Sequence, residues 1–257
     1  MNLRRVAAVA MMHARDLSRR RVALALLILL PIALYLAAEL GPQDPATAEL
    51  QAQNPGESSA DSAWILTTGG IGPLWSVATA TLFVILGSRR VDQRLLLAGF
   101  RSTDLLVGRM GTVLGLGAII TPLFTALIWL MREVDVGLLV ASIGLLVIVA
   151  VGHGVVIAAL VRDEMEGVLA IIGVTGVQMM IVGQAWLPMW GASELLLRAG
   201  GLSGTAEPVT AVLHALAYTA ALVGVGAVAW ARKVRLHPVT RTPVGAMAES
   251  RSSGSPG

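Results

Sequence analysis

The sequence predicts an all-α integral membrane protein: six membrane-spanning helices preceded by an amphipathic amino-terminal helix. Three observations predict it. The 257-residue chain is 55% hydrophobic and only 14% charged, with a mean hydropathy of +0.75, whereas soluble domains are roughly a quarter charged. Six apolar stretches approach or exceed the roughly 20 residues a helix needs to cross a hydrocarbon core. The basic residues flank those stretches instead of forming one patch, so a pI near 10.1 with a net charge of only +3 points to a membrane and not to nucleic acid.

Residues 1–21 come first. Leu3, Val6, Ala7, Ala10, Met11, Ala14 and Leu17 recur at helical spacing, with Arg4, Arg5, Arg15, Asp16 and Arg19 between them. This predicts an interfacial helix on the inner leaflet that turns into the first span at Arg19–Arg21. A cleaved secretory signal is the rival reading. The long apolar run and the five further spans favour a retained anchor.

The expected membrane domain covers residues 22–235, with spans at Val22–Leu40, Ala63–Gly87, Met110–Met131, Val136–Val161, Val168–Leu187 and Val209–Ala231. Continuous apolar runs without strict alternation favour helices over a barrel. Gly41–Ser62, rich in Pro, Gln, Ala and acids, reads as an outer loop with little fixed structure. The outer segment Pro188–Pro208 contains Ala192–Ala199, read as an interfacial or re-entrant helix. Residues 236–257 read as a disordered cytoplasmic tail, with Glu249–Gly257 rich in Ser, Gly and Pro. Pro31 and Pro122 lie mid-span, where proline bends a helix. Small residues recur within spans, among them Gly111, Gly115, Gly152, Gly154, Gly173, Gly176, Gly224 and Gly226, a pattern that serves close packing or a dimer seam alike.

Orientation follows from the cations. In the six-span arrangement 17 of the 19 Lys and Arg residues fall on one side, and only Arg132 and Arg198 on the other. The positive-inside rule then puts both termini in the cytoplasm of a multi-pass inner (plasma) membrane protein. Trp64, Trp129, Trp186, Trp190 and Trp230 lie at expected span ends, where the headgroup region suits an amphipathic ring.

Several chemistries are excluded or weak. The chain has no cysteine, so no disulfide or thiolate metal site. Its only lysine, Lys233, follows no glycine-rich loop, so it has no Walker motif. No HExxH occurs, and the four histidines are scattered. Gly201-Leu202-Ser203-Gly204 followed by His214 matches the short G-x-S-G pattern of intramembrane serine proteases, a four-residue match in a glycine-rich chain. No Asp, Glu, Lys or Arg lies near the middle of a span, which argues against a proton- or sodium-driven carrier and leaves the energy source elsewhere. Two residues are candidates for a pathway. They are Trp75, for which packing is the alternative, and His153, for which a hydrogen bond to a neighbouring helix is the alternative.

The loop after the second span reads Arg94-Leu95-Leu96-Leu97-Ala98-Gly99-Phe100-Arg101-Ser102-Thr103-Asp104-Leu105-Leu106-Val107-Gly108-Arg109. Its leucines and Phe100 sit among Arg94, Arg101 and Asp104, an apolar cluster rimmed by charge that suits a partner protein or the inner leaflet. This loop is similar to the pattern of ABC-2-type permeases: a leucine-rich turn, a small residue, a Ser/Thr break, and a second helix ending in Gly-Arg. Together with the layout of helices, residues 1–235 resemble that family, the membrane subunit of an ABC exporter. Val91-Asp92-Gln93 stands where the family commonly has an acidic-x-Gly-Thr stretch.

The resemblance implies that Arg94, Leu95, Leu96, Leu97, Phe100, Arg101, Asp104 and Leu105 form a coupling helix for a separate ATPase subunit. It implies a smaller contact at the turn carrying Arg162, Asp163, Glu164 and Glu166. It further implies that this chain binds no cofactor, with ATP and Mg held by the ATPase. A second permease subunit, identical or related, would complete a path for a hydrophobic or amphipathic substrate such as a drug, lipid or peptide. A non-ABC carrier, a membrane scaffold and the protease are the alternatives.

Overall fold

The structure is a computed structural model describing residues 3–40, 55–181, 184–202 and 205–235. Most of the expected first outer loop, the expected disordered tail and Ser203 lie outside the described residues. Among them the chain forms only helices: α1 (Leu3–Arg19), α2 (Arg21–Leu40), α3 (Pro55–Gly87), α4 (Arg89–Leu97), α5 (Ser102–Met131), α6 (Val136–Leu160), α7 (Glu164–Met180), α8 (Trp190–Ala199) and α9 (Pro208–Arg235). Helix α3 begins at Pro55, so the end of the segment expected to lack fixed structure is helical. Five helices, α2, α3, α5, α6 and α9, are long and apolar enough to cross a membrane.

Helices α3 and α6 form the centre. About four-fifths of each apolar window is buried (83% and 78%), against 11% for α2 and 17% for α9. Mean hydropathy does not sort them: it is 1.6 for buried α3 and 2.6 for buried α6, against 2.4 for α2 and 1.8 for α9. What separates them is the side chain at each contact. Gly154 of α6 lies so close to α3 that a Cβ there would stand 2.6 Å from the Ala78 carbonyl oxygen. Gly152 and Gly226 bring α6 and α9 together against Leu222 and Val155 in the same way. Gly111, Gly115, Gly173, Gly176 and Gly224 face open space, so only part of the glycine pattern serves packing within the chain.

Helix α2 is held by specific polar contacts. Pro31 has no N–H, so the Leu27 carbonyl one turn earlier loses its helical donor. The buried Ser76 hydroxyl of α3 reaches that carbonyl, and also stands 2.9 Å from the Gly72 carbonyl. Where water is excluded, a freed carbonyl must be satisfied by a neighbour. Ser76→Ala should therefore destabilise the bundle by about 1–3 kcal/mol, the cost of an orphaned buried acceptor. Thermal unfolding in detergent checks this. At the other end of α2, Arg132 Nε donates to Glu39 Oε2 at 2.9 Å, tying α2 to the α5–α6 turn.

The expected fifth span is not one helix. Helix α7 stops at Met180, and at 17 residues it falls just short of a full span. The backbone leaves the helical region at Ile181 (φ −117°, ψ 32°), and Pro188, further along, disfavours helix in the connection to α8. Three contacts locate the break. Tyr218, well inside α9, donates its hydroxyl to the Trp186 carbonyl at 2.7 Å. Ser142 Oγ donates to the Ala192 carbonyl at 2.8 Å, and the Asp135 N–H donates to the Ala199 carbonyl at 2.8 Å. The connection before α8 thus sits about 15 Å below the start of α9, at 1.5 Å per residue. From there α8 runs antiparallel to the first two turns of α6, towards the start of that helix. Gly191 through Leu196 are buried, so α8 is an internal element and not an interfacial one. Hydropathy could not foresee the break because Trp186 and Leu187 remain apolar after the helix has ended.

Tryptophan placement needs a similar correction. Trp64 and Trp129 are exposed, but Trp186 lies at the level of Tyr218 within α9 and not at a helix end, Trp230 is buried, and Trp190 packs edge-on against His214, with ring centroids 4.9 Å apart.

Candidate functional site

The loop singled out by the sequence is built as a helix, a tight turn and a second helix at the end of the bundle that also carries α1 and the last turns of α9. Helix α4 ends in a double hydrogen-bonded turn: Gly99 N–H donates to Leu96 O at 3.0 Å and Phe100 N–H to Leu95 O at 3.0 Å. Gly99 takes φ +84°, a left-handed conformation that glycine adopts without the Cβ penalty. Helix α5 follows from Ser102, with Asp104 in its first turn, where the helix dipole favours an acid.

Helix α1 clamps this turn. Arg5 Nη1 donates to the Gly99 carbonyl at 2.9 Å, and its guanidinium lies 5.2 Å from the centre of the Phe100 ring. Deeper in, Gly108 of α5 accommodates Val9, and Thr112 Oγ1 donates to the Ala10 carbonyl at 2.9 Å. Of the apolar stripe predicted for α1, only Leu17 is buried. Val6 and Ala10 are half-buried, while Leu3, Ala7, Met11 and Ala14 are exposed. The stripe is wider than the contact: one edge, with Val9 and His13, packs on α5, and the remainder faces outward.

Exposure divides the predicted coupling residues. Leu97 is 75% exposed, between exposed Arg94 and Arg101. Leu95, Leu96 and Phe100 are half-buried and pack inward. Asp104 and Leu105 are buried, at 1% and 0% exposure, and cannot meet a partner in this conformation. The resemblance implies surface positions for both, but helical phase after the Gly99 turn points them inward.

The second turn is held mostly by its own contacts. Asp163 accepts from the Glu166 N–H at 2.9 Å, and Glu166 returns the bond to the Arg162 N–H at 2.8 Å, a reciprocal cap opening α7. Glu164 pairs with Arg20 at 3.3 Å. Arg162, Asp163 and Glu166 remain exposed.

Sequence reasoning missed a cluster at this same end. His13 and Arg109 are buried, with Arg109 Nε 3.5 Å from His13 Nε2 and its guanidinium 5.3 Å from the centre of the Trp230 ring. These contacts join α1, α5 and α9. The available signal was the run Val9, His13, Leu17, an i, i+4, i+8 series whose middle member is polar. Burial, reinforced by the Arg109 charge and opposed by Asp16, pushes the His13 pKa down to about 4. The native state therefore holds His13 neutral, and its contribution to stability is complete above about 6.5 and lost as pH falls towards about 4. Acidification through that window should loosen α1 from α5, and hydrogen exchange at α1 amides is the measurement.

The two pathway candidates do not share a cavity. Trp75 Nε1 donates to Thr175 Oγ1 of α7 and lines grooves between α2, α3 and α7 with Pro31. His153 is buried on the α6–α7–α9 side. Its Nδ1 donates to the Val149 carbonyl at 3.0 Å, leaving Nε2 to accept from Gln178 Nε2 at 3.1 Å. Both thus make the interhelical contacts that were their alternatives, while still lining apolar grooves. His214, the residue of the protease reading, lies 2.7 Å through Nε2 from the Ala185 carbonyl and stacks near Tyr218, with ring centroids 4.6 Å apart. It fixes the α7–α8 connection to α9. The chain matches no protein-family model and no curated protein.

Proposed function

We propose that this chain is the membrane subunit of an ATP-driven exporter, an ABC-2-type permease working with separate ATPase subunits. The observation that carries the reading is the α4–α5 corner. One large apolar side chain, Leu97, stands 75% exposed between two arginines on a turn that Gly99 permits and Arg5 braces. A solvent-facing leucine on a braced corner suits a partner's pocket. The turn is continuous with α5 and gripped by α1, so force on it is transmitted to a long apolar helix.

On this reading α7 and α8 in series make the fifth of six crossings, and both termini face the cytoplasm of the inner (plasma) membrane. ATP and Mg act on the partner, and this chain hydrolyses nothing. A second permease, identical or related, completes the path. The apolar grooves beside Trp75 and His153 suit a hydrophobic or amphipathic cargo such as a drug, lipid or peptide. Purification of the tagged chain in mild detergent together with its neighbouring gene products tests the proposal. Recovery of an ATPase in stoichiometric amount is expected, and its consistent absence would overturn it.

A further inference from the structure

We infer that the basic end of the bundle holds a binding site for the phosphate of an anionic phospholipid, in the cavity between α1 and the α3–α4 corner. This rests on the membrane reading above. The open cavity measures about 560 Å³ and is lined along α1 by Ala8, Met11, Met12, Arg15 and Arg19, with Arg20 at the α1–α2 junction and Val91 across it. Its one carboxylate is Asp16, which stands 3.6 Å from Arg20. Arg20 is further committed to Glu164. Among the described residues Arg15 and Arg19 face no carboxylate partner, and both are exposed on successive turns of one helix face.

Like charges at i, i+4 repel, so this spacing costs stability unless an anion stands between the two. Guanidinium groups suit a phosphate because their paired N–H donors match two of its oxygens. The apolar flank decides the source. A free phosphate has no use for two methionines, whereas a phospholipid offers glycerol and acyl carbons beside its charge. Arg20, in the lining, is followed directly in the chain by Arg21 and Val22, where the apolar run of α2 begins and the headgroup layer would lie. The other grooves described here are lined by apolar side chains with few polar ones, so the charge of this cavity is particular to it.

The test uses the full chain in detergent, with phosphatidylglycerol, phosphatidylcholine and inorganic phosphate as probes and native mass spectrometry as readout. Retention of phosphatidylglycerol over phosphatidylcholine is expected. Arg15→Gln with Arg19→Gln should weaken it about thirtyfold, at about a factor of five per surface arginine, while Arg15→Lys with Arg19→Lys should retain most of it. Both arginines are exposed, so the variants should fold, and an unchanged melting temperature without lipid verifies that. Equal retention of the two lipids, or undiminished binding by the glutamine variant, would overturn the inference. Saturable binding of inorganic phosphate alone would overturn the lipid assignment. Alkaline carbonate extraction of cell membranes reports separately on whether the chain is membrane-integrated at all.

Discussion

Gly154→Ala is expected to destabilise the bundle by about 3 kcal/mol, while Gly144→Ala on the same helix should be neutral or stabilising by up to about 1 kcal/mol. The difference lies in what a methyl group meets. At residue 154 it would stand 2.6 Å from the Ala78 carbonyl and 2.9 Å from Thr81 Cγ2, so two central helices must separate. At residue 144 nothing lies within 4 Å. There the alanine only removes the conformational freedom that glycine gives the unfolded chain. Thermal unfolding of the two variants in one detergent measures both. Equal effects would mean that α3 and α6 do not pack through this contact.

Leu97→Glu should cut association with the ATPase by about thirtyfold or more, the loss of a central interface anchor, and leave the fold intact. At 75% exposure the side chain contributes little to the bundle, so stability should move by no more than about 0.5 kcal/mol. Leu105→Glu makes the contrast. Leu105 is fully buried, and a carboxylate there costs several kcal/mol, so that variant should fail to accumulate as folded protein. Pull-down of the ATPase alongside a melting curve separates the two. A Leu97→Glu variant that still retains the ATPase normally would remove Leu97 from the interface.

The helical class and five of the six expected spans were legible because each is a long apolar run with a polar boundary. The interruption between α7 and α8 was not, because Trp186 and Leu187 carry the apolar signal past Met180, where α7 ends. Burial was the least legible feature. Composition could not tell α2, where only Pro31 and Tyr35 are buried, from α3, whose apolar window is 83% buried, because the distinction lies in glycines such as Gly154 meeting a particular neighbour. At the coupling corner the sequence located the right loop and gave Leu97, but it offered Asp104 and Leu105 as equals because helical phase across the Gly99 turn depends on its φ. The His13–Arg109–Trp230 cluster joins three distant segments, and only the tertiary fold brings them together.

The absence of native cysteine makes the decisive measurement simple. Single cysteines at Leu97 and at Glu133, which flank opposite ends of α5, can be probed in intact cells with a membrane-impermeant maleimide. Glu133→Cys should be labelled from outside, and Leu97→Cys only after the membrane is opened. Labelling of Leu97→Cys from outside would put the α4–α5 corner where no ATPase can reach it, and would contradict the account at its root.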